Sequence, residues 1–178
     1  SSTSEEVDTV AFACFRKSVW SELGGFNEKL LTNEDYDFNY RVRQRGSKII
    51  LDRAEHCDYF ARTEMRSLAA QYLRYGFWKA QMVKQQPLSL KLRHLVAPAF
   101  VSAVAILGLL GLVSVIGRYA LAFSLALYLS AAFVFAVHAV RQRNWGLKLA
   151  LRLPFIFATI HFCWGASFLF GIVKSPRG

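Results

Sequence analysis

The sequence has no acidic residue after Glu64. All twelve Asp and Glu of the 178-residue chain lie between Glu5 and Glu64 beside nine Lys and Arg, whereas thirteen Lys and Arg stand unopposed from Arg66 onward. The first 64 residues therefore carry a net charge of −3 and the remainder +13. Cysteine is also scarce. Cys14, Cys57 and Cys163 are odd in number and show no CxxC or Cys/His ligand spacing, which excludes a disulfide framework. They read as reduced thiols used as small apolar side chains, as suits a cytoplasm-facing domain. Charged residues make up only 19% of the chain, below the quarter or so of an ordinary soluble domain. Hydrophobic residues reach 54% at a mean hydropathy of +0.26, which excludes a disordered chain. The basic residues border apolar stretches and form no dense cluster, which argues against a nucleic-acid partner.

What fills the basic part is apolar sequence of membrane-spanning length. Leu95–Ile116 contains no charge, Tyr119–Val140 holds only His138 as a strongly polar group, and Leu153–Val173 is interrupted by His161. A spanning helix needs about 20 apolar residues to cross some 30 Å of hydrocarbon, so spans are expected at about 95–116, 119–140 and 153–173. Each lies too deep in the chain to be a signal peptide. Lys91, Arg93 and His94 precede the first span, and Arg141, Arg143, Lys148 and Arg152 separate the second from the third. The link Gly117-Arg118 carries one charge. The positive-inside rule then puts residues 1–94 and 141–152 in the cytoplasm, with Gly117-Arg118 and the tail after Val173 outside. His138 sits near the interface. His161 is deeper, a candidate for contact with a lipid substrate or for helix packing, with Gly165 one turn on offering close approach to a neighbour.

The acidic part has an α/β pattern. Val10–Phe15 is a strand-length apolar run. Lys17–Leu23 reads as a helix stopped by Gly24-Gly25. Thr32 or Asn33 can cap a second helix whose first turn carries Glu34, Asp35 and Asp37, and which ends at Gly46. Ser47–Leu51 returns as a strand. These elements are too few to close a core, and Ser1 is an unusual natural start, so the chain is expected to be the C-terminal portion of something longer. Residues 65–86 form a further helix. Leu68, Tyr72, Tyr75, Trp78 and Met82 give it an apolar stripe, and Arg66, Arg74, Lys79 and Lys84 a basic face. That pattern describes a helix lying in the membrane interface, with packing on the domain itself as the alternative.

Asp35-Tyr36-Asp37 has the form of a metal-binding acid pair, but helical side chains two apart point about 200° away from each other and do not converge on one ion. A single carboxylate, Asp35, projecting from a helix start and kept ionised there, can instead serve as a general base. The alternative is plain charge complementing the helix dipole. Gln71 and Arg74, three apart on one helix, can face one ligand. The planar guanidinium suits a phosphate or diphosphate, and Arg62 and Lys79 could add charge.

The stretch FRKSVWSELGGFNEKLLTNEDYDFNYRVRQRG, followed by KIILD and QYLRYGFWK, resembles the C-terminal half of a family 2 glycosyltransferase, more narrowly the succinoglycan-type membrane-anchored enzymes of bacterial exopolysaccharide synthesis. The resemblance covers about residues 7–110 and extends over the later spans by architecture only. It implies an α/β fold class: residues 1–64 as the acceptor side of a GT-A nucleotide-sugar transferase domain, 65–94 as an interfacial helix and basic linker, and 95–178 as an all-α membrane region. Glu34-Asp35 match the family's "ED" motif, which makes Asp35 the base. Gly24-Gly25-Phe26 match the turn beside the acceptor. Gln71, Arg74 and Tyr75 match Q-x-x-R-W, with tyrosine where processive relatives carry the tryptophan that stacks on an acceptor sugar.

The resemblance further implies inverting transfer from a nucleoside-diphosphate sugar to a polyprenyl-linked saccharide acceptor at the cytoplasmic face of the bacterial inner membrane, among membrane lipid and polysaccharide-assembly proteins. It implies a divalent cation, Mg2+ or Mn2+, whose main ligands would precede Ser1. His56 is a conceivable late ligand. The chain, lacking a donor half, is expected to be inactive by itself. A polyprenyl-phosphate glycosyltransferase and a non-catalytic membrane scaffold with an incomplete transferase domain are the alternatives.

Overall fold

The computed structural model describes residues 4–54, 57–144 and 146–176. Helices dominate it. Strand β1 (Ser4–Val7) is followed by α1 (Lys17–Leu23), α2 (Glu34–Gln44), β2 (Ile49–Asp52), α3 (Met65–Gln85), two 3-10 turns, and then α4 (Val96–Val113), α5 (Val115–Gln142) and α6 (Leu147–Val173).

The α/β expectation is met only in part. Among the described residues the single sheet has two strands, β1 and β2, antiparallel with Ser4 opposite Asp52 and Val7 opposite Ile49. Val10–Phe15, expected as a strand, is irregular. Among the described residues it has no ladder partner, and the Asn39 side-chain amide donates instead to the Val10 carbonyl (2.9 Å) and the Thr9 hydroxyl (3.0 Å). α1 ends as its sequence dictates, with Gly24 left-handed at φ 71° and its N–H returned to the last turn. At the start of α2 Asn33 stands at the cap position, but at φ 68° and without a capping bond from its side chain. That amide reaches across to the Tyr75 carbonyl of α3 (3.2 Å).

α3 is held between two bodies. On one side Met82 packs with Leu30 and Tyr40, with Tyr36 and Trp78 beside them. On the other, Ala80 and Val83 pack with Phe168 of α6. A Cβ on Gly76 would fall 2.2 Å from the Ser167 hydroxyl, and one on Gly171 would fall 2.8 Å from Ala80. Small residues four apart on both helices thus let the backbones touch, the usual means of joining helices where no water drives association. The expected basic face is revised at one position: Lys79 is 3% exposed and points into the protein.

α4, α5 and α6 are each long and apolar enough to cross a membrane. The break between the first two falls at Ser114, before the expected Gly117-Arg118. Ser114 Oγ accepts from the Gly117 N–H, Gly117 lies against the Leu110 backbone, and Arg118 Nε donates to the Gly111 carbonyl (2.8 Å). The lone charge is therefore absorbed into the first turn of α5. Gly165 of α6 meets the Ala97 carbonyl and Val101 of α4. His161 Nδ1 and the Tyr128 hydroxyl are 2.8 Å apart, beside Phe100 and Phe162.

Charge counting places Lys174 across the bilayer from α3. In the structure the Lys174 carbonyl accepts from Gln81 (2.8 Å) and Lys84 (3.1 Å), so the end of α6 lies against the end of α3.

Candidate active site

The site begins with an aromatic knot. Phe38, 1% exposed on α2, is surrounded by Phe15, Trp20 and Phe26, with ring centroids 4.8–5.4 Å away. Phe26 also meets Trp20 edge to face at 4.7 Å. Such pairs each contribute about 0.5–1.5 kcal/mol beyond their area. Gly25 turns at φ 76°, and a Cβ there would fall 2.8 Å from the Trp20 ring, so the turn can close only around glycine.

Arg41 locks that turn. Its Nε donates to Asp37 (2.8 Å), and its two amino groups donate to the carbonyls of Leu23 (2.8 Å) and Gly25 (2.7 Å). Asp37 is thus the buried partner of an arginine and lines no part of the Asp35 pocket. Asp35, two residues earlier, lines a pocket of about 420 Å³ with Phe12, Cys14, Phe15, Phe26, Phe38 and Asn39. Its Oδ1 accepts from the Tyr36 N–H at 2.7 Å. Burial, helped by neighbouring Glu34 and opposed by that backbone bond, pushes the Asp35 carboxyl above the ordinary carboxylate value. The helix start favours the ionised form, and the apolar surroundings work against it.

Asp35 and Phe26 therefore lie on the same pocket wall, the Gly24-Gly25 turn is tied to α2 through Arg41, and Glu34 precedes Asp35 without lining the pocket. Gln71, Arg74 and Tyr75 do not line that pocket. They stand on α3, joined to the start of α2 through the bond from Asn33 to Tyr75. Gln71 is buried and its amide donates to the hydroxyls of Tyr75 (2.7 Å) and Tyr59 (3.3 Å). Arg74 is exposed and makes no hydrogen bond or ion pair among the described residues, so of the two it alone is available to an anion.

His56 lies outside the described residues. Among those described, no three His, Cys, Asp or Glu come together as a metal site. No described residue is therefore assigned to the implied divalent cation, and no step of the reaction is routed through one.

Sequence reading missed the pocket's other walls. Phe12 and Phe15 precede Asp35 by 20 residues or more, and only Phe38, one turn after Asp35 on α2, carried a local signal.

The structure thus combines three helices long and apolar enough to cross a membrane with a carboxylate on the wall of an aromatic pocket and, on the adjoining α3, an exposed arginine, Arg74, that has no hydrogen bond or ion pair among the described residues. The chain belongs to glycosyl transferase family 21, whose model matches residues 9–175 and so takes in both the acidic region and all three long helices. It is a glycosyltransferase chain, with the sugar donor and acceptor that this implies. No curated protein and no solved structure matches it.

Proposed function

We propose that the complete enzyme performs inverting transfer of a sugar from a nucleoside-diphosphate sugar to an acceptor hydroxyl presented at the membrane surface, with Asp35 as general base. The narrower resemblance to the family 2, succinoglycan-type enzymes supplies the context. The acceptor is a polyprenyl-linked saccharide, the process is bacterial polysaccharide synthesis, and residues 1–94 face the cytoplasm at the inner membrane. The remaining strands of a GT-A domain would lie against the groove between residues 9–16 and β2, where Phe12, Ile50 and Leu51 are left exposed.

One observation carries the reading: a carboxyl group of raised proton affinity stands on the wall of an aromatic pocket. Aromatic faces suit a sugar ring, and a base whose pKa has moved toward neutrality removes a hydroxyl proton more effectively. In the step, the acceptor O–H gives its proton to Asp35 as its oxygen attacks the anomeric carbon from the face opposite the diphosphate. The bond from that carbon to the diphosphate oxygen breaks, and the nucleoside diphosphate leaves. Arg74 steadies the charge gathering on it. Gln71, engaged by two tyrosines, holds Tyr75 against the acceptor side.

Membranes carrying the complete protein, supplied in turn with tritiated nucleoside-diphosphate hexoses, test the proposal. Asp35→Asn is expected to abolish transfer into the lipid extract while the membranes still bind donor. Transfer at the wild-type rate would remove Asp35 from the role.

A further inference from the structure

α3 sends one charged side chain into the protein, and it points at the residue next to the proposed base. Lys79 Nζ lies 3.6 Å from the centroid of the Tyr36 ring and 3.6 Å from the Met82 sulfur. The side chain is 3% exposed, and among the described residues no carboxylate lies within ion-pair distance of it. Burying an ammonium in this way is far more costly than burying a methionine or leucine. The face of an aromatic ring is the partner that offsets part of that cost, the more so away from water.

The ring it holds is fixed on a second side. His94, in the turn before α4, meets Tyr36 edge to face at 5.9 Å. The backbone of the same Tyr36 then donates to Asp35 Oδ1 at 2.7 Å. Tyr36 is therefore a joint: its ring is gripped by α3 and the turn before α4, while its N–H orients the carboxylate.

We infer that Lys79 is a positioning residue for Asp35, its ammonium holding the Tyr36 ring so that the first turn of α2 keeps the carboxylate in the aromatic pocket. The inference rests on the reading of Asp35 as the base. The charged groups around Lys79 come from every element packed there: Asp8 after β1, Asp37 on α2, and Lys91, Arg93 and His94 before α4. Burial, with Arg93 and Lys91, brings the Lys79 amine down to about 7 against the pull of Asp8 and Asp37. The ring contact is accordingly strongest in acid and weakens as pH rises through neutrality.

A measurement that needs no substrate tests this. Dicyclohexylcarbodiimide adds to protonated carboxyl groups in apolar surroundings, and peptide mass spectrometry of the full chain reads the fraction of Asp35 modified at each pH. In the wild type the labelling midpoint lies above 3.8, the ordinary value. Lys79→Met, which keeps the length and apolar stem, is expected to free the turn, let water reach the carboxylate and lower the midpoint by about half a unit or more. Lys79→Arg, still cationic, should restore most of the shift. Loss of a positive charge acting only through space would raise the midpoint, so a midpoint that rises or stays in Lys79→Met overturns the inference. Should Lys79→Met fail to accumulate, Tyr36→Leu removes the other half of the contact and must lower the midpoint likewise, or the inference falls. Turnover of Asp35→Asn is a separate reading. An active Asp35→Asn variant would cancel the base assignment and leave the measured midpoints standing.

Discussion

Residues 4–64 and residues 65–176 are held together by different physics. In the acidic region the backbone is fastened by charged and amide side chains: Arg41 to two carbonyls of the glycine turn, Arg45 to the Glu22 carbonyl, and Asn39 to Val10. In the basic region helices join by backbone approach at Gly76, Gly165, Gly171 and Gly117, and side-chain bonds mostly tidy the helix ends. Polar staples are effective where water sets the cost of leaving a carbonyl bare. Small-residue contacts are effective where lipid gives burial no advantage. The residues assigned to function depart from the rule of their own region: Asp35 is a carboxylate among phenylalanines, and Lys79 an ammonium buried in a helix interface.

The largest expected effect breaks the comparison on the acidic side. Asp35→Asn should lose transfer altogether, read as tritium in the lipid extract. In the wild type the acid limb of the pH–rate profile should stand above the ordinary aspartate value of 3.8, because a base of raised pKa loses its ionised form earlier as pH falls. Next, Arg74→Ala should lower turnover by on the order of a hundredfold with donor KM little altered, since its charge is needed when the diphosphate departs. Equal turnover in the two proteins would take Arg74 out of the step.

The basic side is broken at Gly76. Valine there would drive a methyl group into the Ser167 hydroxyl and the Trp164 carbonyl, and a carbonyl in a helix cannot step aside. Gly76→Val should cost about 1–3 kcal/mol, read as a lower unfolding midpoint in detergent, whereas Gly108→Ala, with nothing within 4 Å of its Cβ, should melt like the wild type.

Local signals made much of this legible. Gly24-Gly25 stopped α1, three acids opened α2, and the length of apolar sequence marked the three long helices. What stayed hidden needed a partner to be visible. Ser4–Val7 is mostly polar and becomes a strand only against β2. Val10–Phe15 looked like a strand, yet no described neighbour offers it a ladder. Arg118 looked like loop because a charge seemed unfit for a helix between two spans, until the Gly111 carbonyl received it. At the site, Asp35 was readable from its place at a helix start, but its apolar pocket is assembled from four phenylalanines spread over residues 12–38. Lys79 fell on the basic face of a helical wheel, which says where a side chain points and not what packs upon it.

The smallest effect concerns the clamp that joins the two regions. Asp8, just past β1, accepts from Lys91 Nζ at 2.6 Å and from Arg93, both in the segment leading into α4. Its partial burial works against ionisation, but the two cationic donors outweigh it and hold the carboxyl down at about 2, from 3.8. A depressed folded-state value means that the clamp contributes fully above about pH 4 and is lost as pH falls toward 2. Because all three groups reach solvent, its worth is held to about 1 kcal/mol or less. Asp8→Asn should therefore melt slightly below the wild type at pH 7, by an amount that shrinks in high salt and vanishes near pH 2. If the difference between the two proteins stays constant from pH 7 to pH 2, the carboxylate is not what ties the acidic region to the membrane stem. The join would then rest on the packing of Met82 with Leu30 and Tyr40 and on contacts such as the Asn33–Tyr75 hydrogen bond.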